Sequence, residues 1–174
     1  MFWMKIIGTF IKVLKDGATP NQIAAGFTLG FALGLIPGWP LQAIGLLFLI
    51  VLLNVNISMA FAGALLAKLT AFLLDPWLDS LGNWALSLES LHGVYTTGFN
   101  NSFLMLSRFN NTLVMGAMVV MVVLFLPLFF GLRVGVVAFR ERVQPWMEKL
   151  RVVQLFQGSK FYGWYERVSQ FGFW

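Results

Sequence analysis

An apolar run from Gln22 to Ile36 carries Gly26, Gly30 and Gly34 at a strict four-residue spacing, breaks at Pro37-Gly38-Trp39-Pro40, and resumes from Leu41 to Leu53. Small residues at every fourth position lay a smooth stripe along one helix face. Such a stripe admits another backbone at close range, the main means of helix association where lipid supplies no hydrophobic drive. The glycines are therefore predicted to be packing residues. The two arms are 15 and 13 residues long, whereas a comfortable crossing takes roughly 20 residues at about 1.5 Å each. Arms this short around a proline-rich break predict a re-entrant hairpin, with two thin crossings as the alternative. The tip, Pro37, Gly38, Trp39 and Pro40, leaves backbone groups unpaired, and these persist at membrane depth only under a protein cover or trapped water. The expected cover is a partner's helix together with the later apolar span, with Trp39 filling the gap and Pro127 opening the backbone of that span toward the hairpin.

That reading needs a membrane, and composition supplies one. The 174 residues are 59 % hydrophobic and 11 % charged, with a mean hydropathy of +0.79. Soluble domains average roughly half apolar and a quarter charged. The chain is predicted to be an all-α integral membrane protein. No polar block is long enough for a separate soluble domain, so residues 1–174 are read as a single membrane domain. The absence of cysteine excludes disulfides, thiolate metal sites and cysteine nucleophiles. The N-terminal stretch intersperses Lys5, Lys12 and Lys15 among its apolar positions and has no small-residue cleavage site, so it is expected to be retained rather than removed as a signal peptide.

Residues 1–17 place Phe2, Trp3, Ile6, Ile7, Phe10, Val13 and Leu14 on one helical face and Lys5, Thr9, Lys12, Lys15 and Asp16 on the other, the pattern of an interfacial amphipathic helix. Thr19-Pro20 should start the first arm of a hairpin over 21–53, and Asn54-Val55-Asn56 marks a polar turn. Residues 57–74 read as a span interrupted by Lys68. Asp75-Pro76 supplies an N-cap and a first-turn proline, which predicts a new interfacial helix there, followed by a Gly-, Thr- and Asn-rich loop to residue 111. Residues 112–139 form the longest apolar run, a span kinked at Pro127. Residues 140–174 form an amphipathic tail. The predicted fold is thus a re-entrant helical hairpin plus two spanning helices, with amphipathic interfacial helices at both ends.

Charge sets the expected orientation. Lysines outnumber acids three to one before Gln22, and six Lys or Arg face three Glu after Phe139, while residues 75–111 hold three acids and only Arg108. By the positive-inside rule both termini are cytoplasmic. This requires an even number of crossings, which two spans and a hairpin returning to its own side satisfy.

The chemistry-bearing residues are sparse. His92 is the only histidine, and with Glu89 three positions earlier it makes neither a zinc site, which wants about four ligands, nor a hydrolase triad. It reads as a surface-loop residue, and no enzyme activity, cofactor or metal is expected. Lys68 carries more weight, because a charge inside a span costs about 2.5–3.5 kcal/mol at its centre and is often functional. It stands six residues before Leu74, so its side chain has an escape by snorkelling toward that end. The net charge of +5 flanks membrane segments rather than forming a patch for nucleic acid, and anionic headgroups are the better-matched partner.

The segment from Thr19 to about Trp84, above all Ala24 through Gly38 with Asn54-Val55-Asn56 beyond it, resembles a family of small bacterial membrane proteins known only as a domain of unknown function. A subgroup of this length resembles proteins encoded beside large AsmA-like proteins, inner-membrane-anchored and similar to bridge-type lipid carriers. The resemblance implies a non-enzymatic subunit of the bacterial inner membrane that docks an AsmA-like anchor and assists phospholipid transfer toward the outer membrane, and the charge pattern places residues 75–111 in the periplasm. Short arms and interfacial helices would thin the bilayer locally and ease a lipid out of its leaflet. The competing reading is a small self-associating transporter or channel using the broken hairpin and Lys68, and a purely structural anchor stands third. The resemblance assigns no catalytic residue.

Overall fold

The computed structural model describes residues 18–143; the amphipathic segment expected over 1–17, and all but the first four residues of the tail expected over 140–174, lie outside the described residues. Thr19 opens the first helix, α1 (Pro20–Leu35). Its hydroxyl accepts the Gln22 N–H at 3.2 Å while the Gln22 side chain accepts the Thr19 N–H at 2.8 Å, and Pro20 occupies the first turn. This reciprocal capping box satisfies backbone donors that a helix start otherwise leaves open. After the tip comes α2 (Leu41–Leu52), which ends at Leu53. Asn54 follows with a φ of +50°, a left-handed geometry that Asn tolerates well and that helix ends use.

Asn56 caps α3 (Ile57–Leu86) by accepting the Met59 N–H at 2.9 Å. The helix has 30 residues, about 45 Å by its rise. It runs straight through Asp75-Pro76, so the separate interfacial helix expected from that pair does not form. A proline inside a helix removes one hydrogen bond and clashes with one carbonyl, a local cost. Against it stands the packing of the following two turns, where Leu78, Gly82 and Ala85 are buried. Tertiary contact outweighs the local signal. Replacing Pro76 with Ala should therefore raise the melting temperature in detergent, the relieved helix cost being on the order of 1–3 kcal/mol. An unchanged or lowered melting temperature would show that the proline ring itself contributes to the packing.

The stretch expected as a loop contains a 3₁₀ turn at Glu89–Leu91, α4 (His92–Phe99) and the single-turn α5 (Ser102–Met105). It is tied down by aromatics. The Tyr95 hydroxyl donates to the Ala85 carbonyl at 2.8 Å, and the Phe109 ring packs against Tyr95 and Phe99 with centroids 6.1 and 5.0 Å apart. Asn111 then caps α6 (Thr112–Ala138), which contains Pro127 and passes into a π turn at Phe139–Val143. No strand occurs among the described residues. Among the described residues two helices, Ile57–Leu86 and Thr112–Arg142, the second running into the π turn, are long and apolar enough to cross a membrane.

Backbone contacts order these helices. Cβ atoms placed on Gly26, Gly30 and Gly34 would run into the carbonyls of Asn56, Ala60 and Ala64, each partner thirty positions later in the chain. A constant positive offset means that α1 and α3 run parallel, with α2 as the antiparallel return. Gly63 repeats the contact from the other side, meeting the Phe27 carbonyl and lying 2.9 Å, at its would-be Cβ, from the Phe31 nitrogen. Farther along α3, Gly82 meets the Thr112 carbonyl and Gly116 that of Leu78. Here the order reverses, so α3 and α6 are antiparallel. The largest apolar cluster sits where all four long elements meet and joins Ala32 and Leu35 of α1, Ala43 of α2, Ala67 and Leu78 of α3, and Ala117 and Met121 of α6. Its small residues allow helices to approach closely without voids.

Candidate functional site: the hairpin tip and its groove

By the thirty-residue offset Ile36 stands level with about residue 66, so the hairpin tip lies roughly a third of the way along α3. The tip turns through Gly38, whose φ of +74° is one that residues with a Cβ seldom adopt. Pro40 is buried, Pro37 half-buried, Gly38 exposed and Trp39 70 % exposed. Trp39 therefore does not fill the space between hairpin and α6, and Pro127 is exposed rather than turned onto the tip.

Part of the cover comes from α6, as expected of the later apolar span: Ile36 and Ala43 share a buried cluster with its Ala117 and Met121, and Gln42 Nε2 donates to its Met118 sulfur. The rest comes from the chain's own loop. The Leu41 N–H donates to the Leu106 carbonyl at 3.0 Å, and Gln42 Nε2 donates to the Ser107 carbonyl at 2.8 Å. The first of these satisfies the opening N–H of α2, where Pro40 provides no side-chain cap, and the second ties the Gln42 side chain to the same loop. The base of the hairpin is fastened similarly. Gln22 Nε2 donates to the Asn54 carbonyl and the Asn56 N–H to the Gln22 carbonyl, both at 3.1 Å, while an Arg140 guanidinium nitrogen donates to the Ala18 carbonyl at 2.7 Å.

Lys68 does not extend toward Leu74. Its ammonium turns to the tip and donates to the Ile36 carbonyl at 3.3 Å, an oxygen that the helix end leaves open. Between α3 and the tip runs a groove of about 350 Å³, walled by Leu33, Ile36, Trp39, Phe61 and Leu65 with Lys68 as its one charged residue. That volume falls at the lower end of small-molecule sites. Phe61 is 73 % exposed and Leu65 52 %, so the groove opens sideways along its length. Arg108, in the loop that covers the tip, brings its guanidinium beside Gly38, 3.6 Å from where a Cβ would stand.

Of the residues singled out in the sequence, the structure brings together Gly34, Gly38, Trp39 and Lys68 at this groove, with Pro37 and Pro40 flanking it. Gly26 and Gly30 stand apart from it, on the face of α1 that meets α3. His92 opens α4 as an exposed residue with Glu89 exposed in the turn before it, and no group of three or more metal-ligating side chains gathers among the described residues. Sequence reasoning missed Arg108 and the loop carbonyls of Leu106 and Ser107. Their one signal was the short apolar patch at Phe103 to Leu106 inside an otherwise polar stretch.

No solved structure matches the chain. An "Uncharacterized protein" of Treponema pallidum (strain Nichols) is 30 % identical over 142 residues, 82 % of this chain and 88 % of that protein. Residues 6–144 match a family described as "Uncharacterized protein conserved in bacteria (DUF2062)". The match takes in the glycine stripe, the hairpin tip, the covering loop and both long apolar helices, and the chain belongs to this family.

Proposed function

We propose that the chain is a non-enzymatic subunit of the bacterial inner membrane that docks the anchor of a larger AsmA-like protein and helps pass phospholipid into that partner's periplasmic carrier. The observation that carries this reading is the sideways-open apolar groove between α3 and a hairpin tip, with a single lysine at its inner end. A slot that admits an alkyl chain from the side and presents a cation matches an amphiphile better than a soluble metabolite. The half-length hairpin supports re-entry from the cytoplasmic face, with both termini on that side. The partner's anchor finds a surface on α6, where Gly131 and Gly135 have nothing among the described residues within 4 Å of a would-be Cβ. Such uncovered small residues offer the close backbone approach that associating membrane helices use.

The transporter or channel reading draws less support. A polar path needs polar lining, and among the described residues the only buried polar side chain is Thr28, within a core of Ala, Leu, Ile, Val and Met. Lys68 faces the outer groove instead.

Purification of the intact chain in mild detergent, followed by peptide mass spectrometry, tests the proposal. A larger membrane-anchored protein should co-purify in near-stoichiometric amount. Recovery of this chain alone would sink the subunit reading.

A further inference from the structure

We propose that the hairpin tip is an anionic headgroup site, in which Lys68 and Arg108 together hold the phosphate of one phospholipid whose acyl chain lies in the groove beside Trp39. This rests on the groove being a lipid site, as proposed above, and adds which lipids it prefers. The two cations reach the tip from segments 40 positions apart in the chain. Lys68 is fixed on the Ile36 carbonyl, and the Arg108 guanidinium lies beside Gly38. Ile36 and Gly38 are two residues apart, so at most about 7 Å separates their Cα atoms. Among the described residues no carboxylate pairs with either side chain. An ammonium has three donors and a guanidinium five, and only one of these eight has a partner among the described residues. Two cations at one hairpin tip, with no counter-ion among the described residues and an apolar surface beside them, are electrostatically incomplete. A phosphate completes them, and Arg in particular suits bidentate binding of phosphate.

Arg108 also holds a φ of +50°, a region that Gly or Asn enters more cheaply than a long side chain. The loop nevertheless carries an arginine there, which sets the guanidinium over the tip. The shape of the site chooses the source of the phosphate. Lys68 lines the groove and Arg108 stands beside Gly38 at its tip, and Leu33, Phe61 and Leu65 continue from Lys68 as an apolar wall open along its side. Free phosphate or a partner's carboxylate would fill only the charged end. A membrane lipid fills both.

The test uses the full chain in phosphatidylcholine vesicles doped with phosphatidylglycerol, with brominated acyl chains on one lipid or the other as quencher. The contribution of Trp39 is isolated by subtracting the fluorescence of Trp39→Phe. Brominated phosphatidylglycerol should quench Trp39 at a lower mole fraction than brominated phosphatidylcholine. Lys68→Gln and Arg108→Gln should each raise the half-quenching fraction of phosphatidylglycerol roughly fivefold, the effect expected of one basic residue at a lipid surface. Lys68→Arg should retain the preference, and inorganic phosphate should not relieve the quenching. Arg108→Gln alters an exposed loop side chain, so it reports even if Lys68→Gln fails to fold. Equal quenching by the two lipids would overturn the headgroup site while leaving the groove as a lipid site. Absence of quenching by either would overturn both. Relief by inorganic phosphate would make the ligand a free anion and overturn the lipid assignment.

Discussion

Gly30→Leu should abolish the thermally stable, monodisperse protein in detergent, whereas Gly45→Leu should behave as the parent chain. Helix propensity alone predicts a small gain from either change, since Leu is favoured over Gly by somewhat under 1 kcal/mol in a helix interior. The two sites differ in what a side chain would meet. At Gly30 a Cβ runs into the Ala60 carbonyl oxygen and would stand 2.5 Å from the carbonyl carbon and 2.7 Å from the Cα. These are backbone atoms of a helix and cannot swing aside as the end of a flexible side chain can. At Gly45, on the open side of α2, nothing lies within 4 Å. Overpacking usually costs about 1–3 kcal/mol. A leucine here exceeds that range, because α1 and α3 must separate along their whole contact and Gly26, Gly34 and Gly63 lose theirs as well. Thermal unfolding followed by size-exclusion chromatography checks the pair. A Gly30 variant that melts with the parent would mean that α1 and α3 are not in backbone contact.

This contact shows what one sequence can and cannot disclose. The spacing of Gly26, Gly30 and Gly34 is local, and it announces a packing face without knowing its partner. The partner is Asn56, Ala60, Ala64 and the isolated Gly63, and an isolated glycine carries no periodic signal. The starts of the helices were legible, because Thr19, Asn56 and Asn111 act on donors within three residues of themselves. Asp75-Pro76 misled for the same reason. It is a sound local start signal, overruled by the burial of Leu78, Gly82 and Ala85 against a helix that begins more than 30 residues farther on. The cover over the hairpin tip was anticipated as a need, since prolines leave backbone groups open. Its supplier was not legible, because a bond from Leu41 to Leu106 spans a distance in sequence that no periodicity reaches. The sequence reading has Trp39 fill the gap between the hairpin and the later span, yet it stands exposed beside the groove. Lys68 reads in the sequence as a charge able to snorkel toward Leu74, whereas its ammonium turns to the open carbonyl of Ile36, a partner 32 positions away that no local pattern announces.

The second crossing makes a separate prediction of similar size. In a chain with no cysteine of its own, Asp79→Cys together with Thr112→Cys should form a disulfide on mild oxidation, because the Thr112 hydroxyl donates directly to the Asp79 carboxylate. Adding Gly116→Leu should eliminate that cross-link. A Cβ at Gly116 falls on the Leu78 carbonyl, 2.6 Å from its carbon, and one at Gly82 falls on that of Thr112, also 2.6 Å from its carbon. Each glycine is thus the clearance for the other helix. A leucine at 116 pushes α6 away from the outer half of α3, and Asp79 and Thr112 then move beyond the Cα separation of about 7 Å that a disulfide tolerates. The α1–α3 contact should survive, since Gly63 and Gly82 lie 19 positions apart on α3, about 28 Å by helical rise. Sites that far apart without shared partners act independently. Gly131→Leu is the matched control. It lies on the same helix with nothing within 4 Å of a would-be Cβ, so the cross-link should form as in the parent pair even though the proposed partner's anchor loses its seat. Cross-linking that persists in the Gly116 variant would show that α6 meets α3 through some other face, and the antiparallel register of the two long apolar helices would be wrong.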